Sequence, residues 1–384
     1  MRKLSALTDL IRVLIAGVAF LHLSSGVGFA QLAGSAWPMF QHDARHTGQS
    51  GALGPSSANV KWTYHNFQGF RSGPAIAADG TIYIGNGRLL CAVDPTDGSQ
   101  TWCTYTGGAV KFSSPAVTLD GTVCVGGRDN RLHCLHADGT DAFSYHVGHD
   151  GDVSSSPAVA PDGTIYFGGT HRLHALNPEG SLKWVVPLGS GIFTASPTLA
   201  TDGTIYVGSL DGTVHAVNPD GSIKWETKVA KFIKFSAPSI ATDGTIYIGT
   251  NDGLSAVNPD GTIRWQVPTA GRVYSSAAIA TDGTIYVGSQ GSIGVSSGTF
   301  YAISPAGTIL QTYQGGDSFR GAPAIGADGT VYAASGSQVL AFNPLLTVLW
   351  SYSTGAHIIG SFGMGGDGTL YVGSNDRLLY AFAP

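Results

Sequence analysis

Cationic and aromatic side chains recur just ahead of short runs of small residues such as Gly73-Pro74-Ala75 and Ser114-Pro115-Ala116. Guanidinium and ammonium groups bind carboxylates and phosphates, and aromatic rings add apolar faces beside them. Gathered around one cavity, these side chains would bind an anionic or peptide-like ligand. The candidate ligand-binding residues are Arg71, Lys111, Phe112, Lys234, Phe235, Arg272, Tyr274 and Arg320. The alternative is that the rings pack between structural units while the cations are solvated.

Metal-binding and catalytic chemistry have weaker support. Two stretches carry metal-ligand side chains: His42, Asp43 and His46, and then His146, His149, Asp150 and Asp152. The first stretch is better interpreted as a packed segment, and His171 and His174 are expected at the surface. No paired acid–base arrangement supports a hydrolase. We therefore predict no catalytic residue and no metal site.

The four cysteines form two pairs that could each span adjacent strands. They are Cys91, Cys103, Cys124 and Cys134. The first pair is symmetric about Asp97 and the second about Asp129, and both aspartates are expected in hairpin turns. An exported protein can form disulfides from such pairs, and the alternative is four thiols packed as small apolar side chains. The absence of Cys-x-x-Cys from the sequence gives zinc or thioredoxin chemistry no support.

A repeated unit of about 40 residues has to position these side chains. Asp-Gly-Thr followed by an apolar residue and then usually Tyr recurs eight times, at intervals of 39 to 46 residues. Its aspartates are Asp79, Asp120, Asp162, Asp202, Asp243, Asp282, Asp328 and Asp367. Each copy lies between short, alternating, β-branched segments, which predicts four antiparallel strands per unit. This period is typical of β-propeller blades, and turns account for most of the carboxylates.

The position of the first aromatic residue predicts how the ring closes. Aromatic positions of the fourth strands are Trp62, Trp102, Phe143, Trp184, Trp225, Trp265 and Trp350, with the stretch Ile309–Tyr313 at the remaining position. Trp62 precedes the first repeat, so Val60–Tyr64 should complete the last blade and remove its open edge. The predicted fold is all-β: an eight-bladed β-propeller of four-stranded antiparallel blades, closed by an N-terminal strand.

The N-terminus predicts export. Arg2 and Lys3 precede an apolar run, Val13–Leu23, which is followed by small residues up to Ala30. This order predicts a secretory signal peptide over residues 1–30, cleaved near Ala30. Residues 31–59 are expected to form a latch segment and residues 60–384 the propeller. The mature chain should be periplasmic or secreted and lack a transmembrane segment. A net charge of −5 argues against a nucleic-acid partner.

The repeats resemble those of PQQ-repeat (quinoprotein-like) β-propellers. Ala92-Val93-Asp94 with Trp102, and Ala216-Val217-Asn218 with Trp225, match the Ala-x-Asn/Asp and Trp positions of that family. The segment from Trp37 to Gly48 is also similar to the N-terminal segment of such proteins. The resemblance covers residues 37–384 and implies an eight-bladed propeller.

The resemblance implies two functional branches. Quinoprotein dehydrogenases hold PQQ and calcium over the axis through Glu and Asn, whereas the BamB-like branch consists of non-enzymatic scaffolds. Here Glu179 is expected in a turn and Glu226 on an outer strand, away from the axis. The favoured function is an exported, non-catalytic scaffold without a cofactor, which binds a protein, peptide or glycan at the channel mouth. A longer connection, Ser289–Thr299, is expected on that face. The alternative is a PQQ- and calcium-dependent dehydrogenase of alcohols or sugars.

Overall fold

The chain folds into eight four-stranded antiparallel sheets arranged as the blades of a propeller. The computed structural model describes residues 35–191, 195–291 and 297–384, so the predicted signal peptide lies outside the described residues. Blades are numbered 1 to 8 in the order of their first strands. A short 3-10 helix, Gly148–Asp150, follows blade 2. The predicted all-β, eight-bladed fold is confirmed.

The first and second strands of every blade are buried, which suits their small and β-branched residues. The first strands, nearest the axis, are Ala75–Ile76, Ala116–Val117, Ala158–Val159, Thr198–Leu199, Ser239–Ile240, Ala278–Ile279, Ala324–Ile325 and Gly363–Met364. The second strands are Ile82–Asn86, Val123–Gly127, Ile165–Gly168, Ile205–Gly208, Ile246–Gly249, Ile285–Gly288, Val331–Ser335 and Leu370–Gly373.

The third strands are mostly buried, whereas the fourth strands form the outer edges and are largely exposed. The third strands are Leu89–Val93, Arg131–Leu135, Arg172–Leu176, Thr213–Val217, Gly253–Val257, Thr299–Ile303, Gln338–Phe342 and Leu378–Phe382. The fourth strands of blades 1 to 7 are Gln100–Tyr105, Asp141–His146, Leu182–Pro187, Ile223–Lys228, Ile263–Pro268, Ile309–Gln314 and Val348–Ser353, and that of blade 8 is Val60–His65.

The repeated Asp-Gly-Thr forms the turn between the first and second strands. In all eight copies the Asp Oδ1 accepts the backbone N–H of the Thr two residues later, at 2.9–3.1 Å. The glycine between them has φ of 81–90°, a left-handed conformation in which a side chain would be strained. These aspartates therefore serve the turns, as the sequence indicates.

Six fourth-strand tryptophans join their blade to the next. The indole N–H of Trp225 donates to the carbonyl of Pro259 at 2.9 Å, and its ring lies against Gly261, where a Cβ would come within 2.7 Å of the ring. Equivalent bonds of 2.8–3.0 Å join Trp62 to Pro95, Trp102 to Ala137, Trp184 to Pro219, Trp265 to Pro305 and Trp350 to Pro55. The repeat thus encodes contacts between blades as well as within them.

The junction between blades 6 and 7 is built differently. Gln311 occupies the tryptophan register, opposite Ala302. In the next blade the turn glycine is replaced by Leu346, which is buried and has φ 58°. The hydroxyl of Tyr286 donates to the carbonyl of Pro344 at 3.0 Å. A larger turn residue and a tyrosine hydroxyl therefore take over the volume and the hydrogen bond of the missing indole.

The N-terminal strand closes the ring as predicted. Val60–His65 pairs antiparallel with Leu378–Phe382, with Trp62 opposite Ala381. Just before this strand, the carbonyl of Pro55 accepts hydrogen bonds from Trp350 and Tyr332 at 2.9 and 3.0 Å. The latch segment thus supplies the carbonyl that a turn of the following blade supplies elsewhere.

Two disulfides join neighbouring strands in blades 1 and 2. Cys91 lies directly opposite Cys103, and Cys124 opposite Cys134, with Cα atoms 4.1 Å apart in both pairs. They enclose hairpins with sequence separations of 12 and 10 residues. The cysteine pairs are those that the sequence places symmetrically about two turns.

Candidate functional site

The latch segment, described over residues 35–59, crosses the propeller axis and closes one end of the channel. First-strand N–H groups on the axial side have no neighbouring strand of their own blade and need other acceptors. Latch carbonyls accept six of them at 2.7–2.9 Å, from Ile76 to Trp37, Val117 to Pro38, Leu199 to Ala44, Ile240 to Arg45, Ile279 to Thr47 and Ile325 to Gly48. Because these bonds are made where the first strands end, the channel remains open only at the face where they begin, the mouth face.

Buried polar side chains hold the latch in place. His46 Nδ1 lies 2.8 Å from the hydroxyl of Thr198 and 3.2 Å from the carbonyl of Pro238. Burial lowers the pKa of His46 to about 4, although the nearby Asp43 opposes this shift. His46 is therefore neutral at pH 7. The described residues contain no group of three or more His, Cys, Asp or Glu that could hold a metal ion.

A cavity of about 240 Å³ lies above the latch and opens at the mouth face, with Phe40 of the latch among its lining residues. Serines at the start of the first strands form much of its wall: Ser114, Ser156, Ser196, Ser276 and Ser361. The hydroxyls of the first four accept a backbone N–H of the preceding blade at 2.9–3.0 Å. A hydroxyl that accepts can still donate, so these serines offer donors to a ligand.

Three aromatic rings from different blades meet over this cavity. Phe112 of blade 2 and Phe235 of blade 5 have ring centroids 5.5 Å apart, and Phe235 lies 5.6 Å from Tyr274 of blade 6. The first contact joins blades that are three positions apart, so it narrows the mouth. Phe235 also has φ 66°, which is costly for a residue with a side chain. The ring of Phe235 therefore lies over the axis although the backbone of this residue adopts an unfavourable conformation.

Two exposed arginines line the axial cavity with these rings: Arg71 of blade 1 and Arg320 of blade 7. Arg71 also lines a neighbouring cavity of about 320 Å³, together with Lys111, Gln68 and Asn375. In the part of the chain that the structure describes, neither cavity has an acidic side chain in its lining. The local potential therefore favours an anion.

The two remaining predicted cations flank the axial cavity without lining it. Lys234 Nζ lies 5.0 Å from the ring centroid of Phe235, and the Arg272 guanidinium lies 5.3 Å from that of Phe232. Arg272 also donates to the Tyr274 hydroxyl at 3.3 Å. Among the ion pairs of the described residues, none includes any of the five predicted cations.

The structure thus brings five of the eight predicted residues to one cavity: Arg71, Phe112, Phe235, Tyr274 and Arg320. Sequence reasoning missed Phe40, the serine wall and Gln290, which belongs to the longer connection on this face. Paired serines before three first strands were a visible signal for the wall: Ser113-Ser114, Ser155-Ser156 and Ser275-Ser276. The centre of the longer connection, residues 292–296, lies outside the described residues.

The histidine-bearing loop after blade 2 has a structural role. The Asp150 carboxylate accepts the backbone N–H of His171 at 2.9 Å and lies 3.2 Å from His174 Nε2. The expectation that His174 is a surface residue is wrong: it is 2% exposed and stacks on Phe167 at 5.2 Å, because its strand position faces the interior. Burial lowers the pKa of His174, with Asp150 opposing the shift.

The described lining of the axial cavity does not fit a calcium–quinone centre. Glu226 lies on an outer strand and contacts His215 Nδ1 at 2.8 Å, and Glu179 is exposed in a turn. Calcium takes six to eight oxygen ligands, typically including carboxylates. The described lining of the axial cavity offers serine hydroxyls and the Gln290 amide instead. This donor set does not match a bound calcium ion.

The repeats match a known family over most of the chain. A PQQ-repeat family model, described as "Outer membrane protein assembly factor BamB", matches residues 47–191 and 169–384. The chain belongs to this PQQ-repeat family. No curated protein gives a significant sequence match. Within the described residues, no helix is long and apolar enough to cross a membrane.

Solved structures show that the fold is shared by proteins of both branches. The quinohemoprotein alcohol dehydrogenase from Comamonas testosteroni aligns with a TM-score of 0.76 at 15% identity, over 93% of this chain and 81% of the other. A europium-containing methanol dehydrogenase gives 0.70 at 14% identity, over 88% and 89%. BamB from Moraxella catarrhalis gives 0.67 at 16% identity, over 84% and 98%. At these identities the likeness concerns the fold alone.

Proposed function

We propose that this PQQ-repeat protein is an exported, non-catalytic scaffold that binds an anionic segment of a protein, peptide or glycan partner at its mouth face. The observation that carries the proposal is the composition of the axial cavity. It has a floor at Phe40, aromatic rings over its opening, and Arg71 and Arg320 in its lining. Because the latch closes the far end of the channel, a ligand group can bind in the cavity but cannot pass through it.

The geometry supports an anionic group attached to an apolar one. Arg71 and Arg320 make no ion pair within the described residues, so an incoming carboxylate or phosphate has no internal acid to displace. The rings of Phe112, Phe235 and Tyr274 offer apolar contact beside the charges, and serine hydroxyls below offer donors. Partly buried charge-assisted hydrogen bonds are stronger than those made in open water.

The family description supports an extracytoplasmic role with a protein partner. That description names an assembly factor of the outer membrane, and one solved structure of this fold is BamB itself. Export also agrees with the basic and apolar start of the sequence and with two disulfides, which persist in oxidising compartments. We therefore place the mature protein outside the cytoplasm.

A charge-matched pair of variants tests the site. The mouth variant carries Arg71→Ala, Lys111→Ala and Arg320→Ala. The control carries Lys183→Ala, Lys224→Ala and Arg264→Ala, which removes the same charge from outer strands. Fluorescein-labelled octaglutamate and tetragalacturonate serve as acidic probes, octaserine as the neutral one, and binding is read by anisotropy at 50 and 200 mM salt.

At least one acidic probe should bind the native protein and the control, and its affinity should fall about ten-fold or more in the mouth variant. The melting temperature of the mouth variant should equal that of the native protein, because the mouth cations make no ion pairs within the described residues. Equal binding by both variants would overturn the mouth as the site. Saturable binding of PQQ with calcium, followed by dye reduction with alcohols or sugars, would overturn the non-catalytic assignment.

A further inference from the structure

Half of the blades protect their outer edge strand with a cation. The second residue of that strand is Lys or Arg in four blades, and it pairs with the aspartate of the blade's own first turn. These ion pairs, 2.8–3.8 Å long, are Lys183–Asp162, Lys224–Asp202, Arg264–Asp243 and Lys61–Asp367. Charged residues on an edge strand block the addition of a foreign strand, since a partner would have to bury them.

Blades 6 and 7 replace this cation by leucine at the same register. Leu310 and Leu349 are 51% and 55% exposed, and the aliphatic residues before them, Ile309 and Val348, are also exposed. Leu345, in the turn at the junction of the two blades, is 69% exposed. Neighbouring blades thus present uncharged aliphatic side chains where other blades present ion pairs.

The replacement also leaves two carboxylates without a cation. Asp282 accepts the backbone N–H of Thr284 at 2.9 Å, and Asp328 accepts that of Thr330 at 3.0 Å. Within the described residues neither is in an ion pair. Blades 1 and 2 lack the cation too, but they carry Thr101 and Ala142 there. Within the described residues, a leucine at this register and an unpaired acid therefore coincide only at blades 6 and 7.

The edge itself is open for pairing. Ile309–Gln314 and Val348–Ser353 are the last strands of their sheets, and neither contains a charged residue or proline. The equivalent strands of blades 3, 4 and 5 contain Lys, Arg, Glu or Pro. An exposed, uncharged, aliphatic edge is a template for an added strand, whose main-chain hydrogen bonds give affinity.

We infer that the outer strands of blades 6 and 7 each dock an extended segment of a protein partner that alternates aliphatic residues with Lys or Arg. Aliphatic side chains would cover Leu310 and Leu349, and the basic ones would pair with Asp282 and Asp328. An acidic segment is disfavoured by the same two carboxylates. A second copy pairing through this edge is disfavoured because it would bring four of these aspartates together without a cation.

The test uses a labelled octapeptide of alternating valine and lysine, its valine–glutamate counterpart, and anisotropy. L310K/L349K restores the cation that other blades carry. T101K/A142K adds the same two charges at the same register in blades 1 and 2 and serves as the matched control. Circular dichroism and melting temperature establish that each variant is folded.

The lysine peptide should bind the native protein and T101K/A142K, and its affinity should fall at least about ten-fold in L310K/L349K. The glutamate peptide should not bind. Equal binding by all three proteins, equal binding of both peptides, or no binding up to millimolar peptide overturns the inference. So does self-association that L310K/L349K abolishes, measured by light scattering, because a second copy would then be the occupant.

Discussion

Protonation of one buried latch histidine should make the propeller less stable in mild acid. His46 is 1% exposed and packs against Thr198 and Pro238, so its imidazole cannot gain a proton without burying a charge. Burial lowers its pKa from 6.5 to about 4. The unfolded chain binds a proton at this residue as the pH falls through 6.5, but the folded chain does so only near pH 4. The contribution of His46 to stability is therefore fully present above pH 6.5 and is lost as the pH falls towards 4.

The size of the effect follows from the two pKa values. The pKa of His46 is 6.5 in the unfolded chain and about 4 in the folded chain. Proton linkage between these values gives a loss of about 2 kcal/mol of unfolding free energy between pH 7 and pH 5. His174, whose pKa burial also lowers, contributes in the same direction, so the total loss in the native protein exceeds that of His46. The contribution of His46 is the difference between the native protein and a variant that cannot titrate there.

His46→Asn is the variant of choice, because asparagine tolerates the φ of 55° at this position and its amide can donate to the carbonyl of Pro238. His136→Asn, at an exposed histidine, is the matched control. Urea titrations followed by tryptophan fluorescence at pH 7, 6 and 5 give the free energies of unfolding. The pH-dependent loss should shrink by about 2 kcal/mol in His46→Asn and stay unchanged in the control. The reasoning fails if all three proteins lose the same stability, or if NMR titration places the pKa of His46 near 6.5.

Three further stability predictions use the same urea titration at pH 7. Replacing Cys91 and Cys103 by serine releases the constraint on a hairpin with a separation of 12 residues and should cost about 3 kcal/mol; an unchanged midpoint would contradict it. Trp225→Phe keeps an aromatic ring but removes the indole hydrogen bond to the next blade and should cost about 1 kcal/mol, whereas no loss would show that packing alone joins the blades. Leu346→Gly should cost about 2 kcal/mol, and adding Gln311→Trp should recover most of it; additive losses would refute the proposed exchange of volume between the two positions.

The fold could be predicted from the repeat because the same local chemistry recurs in every blade. Asp202, Gly203 and Thr204 show the pattern: the carboxylate accepts the threonine N–H and the glycine takes a left-handed φ. Both features depend only on residues within the turn, so the sequence specifies them directly. The closing strand at Trp62 was also predictable, since a fourth strand was missing from one end of the array and surplus at the other.

The floor of the mouth cavity could not be predicted in the same way. The latch is held by backbone carbonyls that accept N–H groups of six blades, and backbone contacts of this kind carry no residue signature. The convergence of Phe112 and Phe235 over the axis depends on the positive φ of Phe235, which its residue type does not indicate. The sequence therefore predicted five of the side chains that line the mouth cavity, but not how they close over it.

Some departures from the repeat are compensated by other residues of the fold, and others are not. At the junction of blades 6 and 7 the loss of a tryptophan is matched inside the fold, because Leu346 fills the volume and Tyr286 restores the hydrogen bond. The loss of a cation on the same strand is not matched, since Leu310 stays exposed and Asp282 has no ion pair within the described residues. The cations of the mouth likewise make no ion pair within the described residues. Because packing explains the first kind of change and leaves the second unexplained, the uncompensated positions are where binding to another molecule has most to contribute.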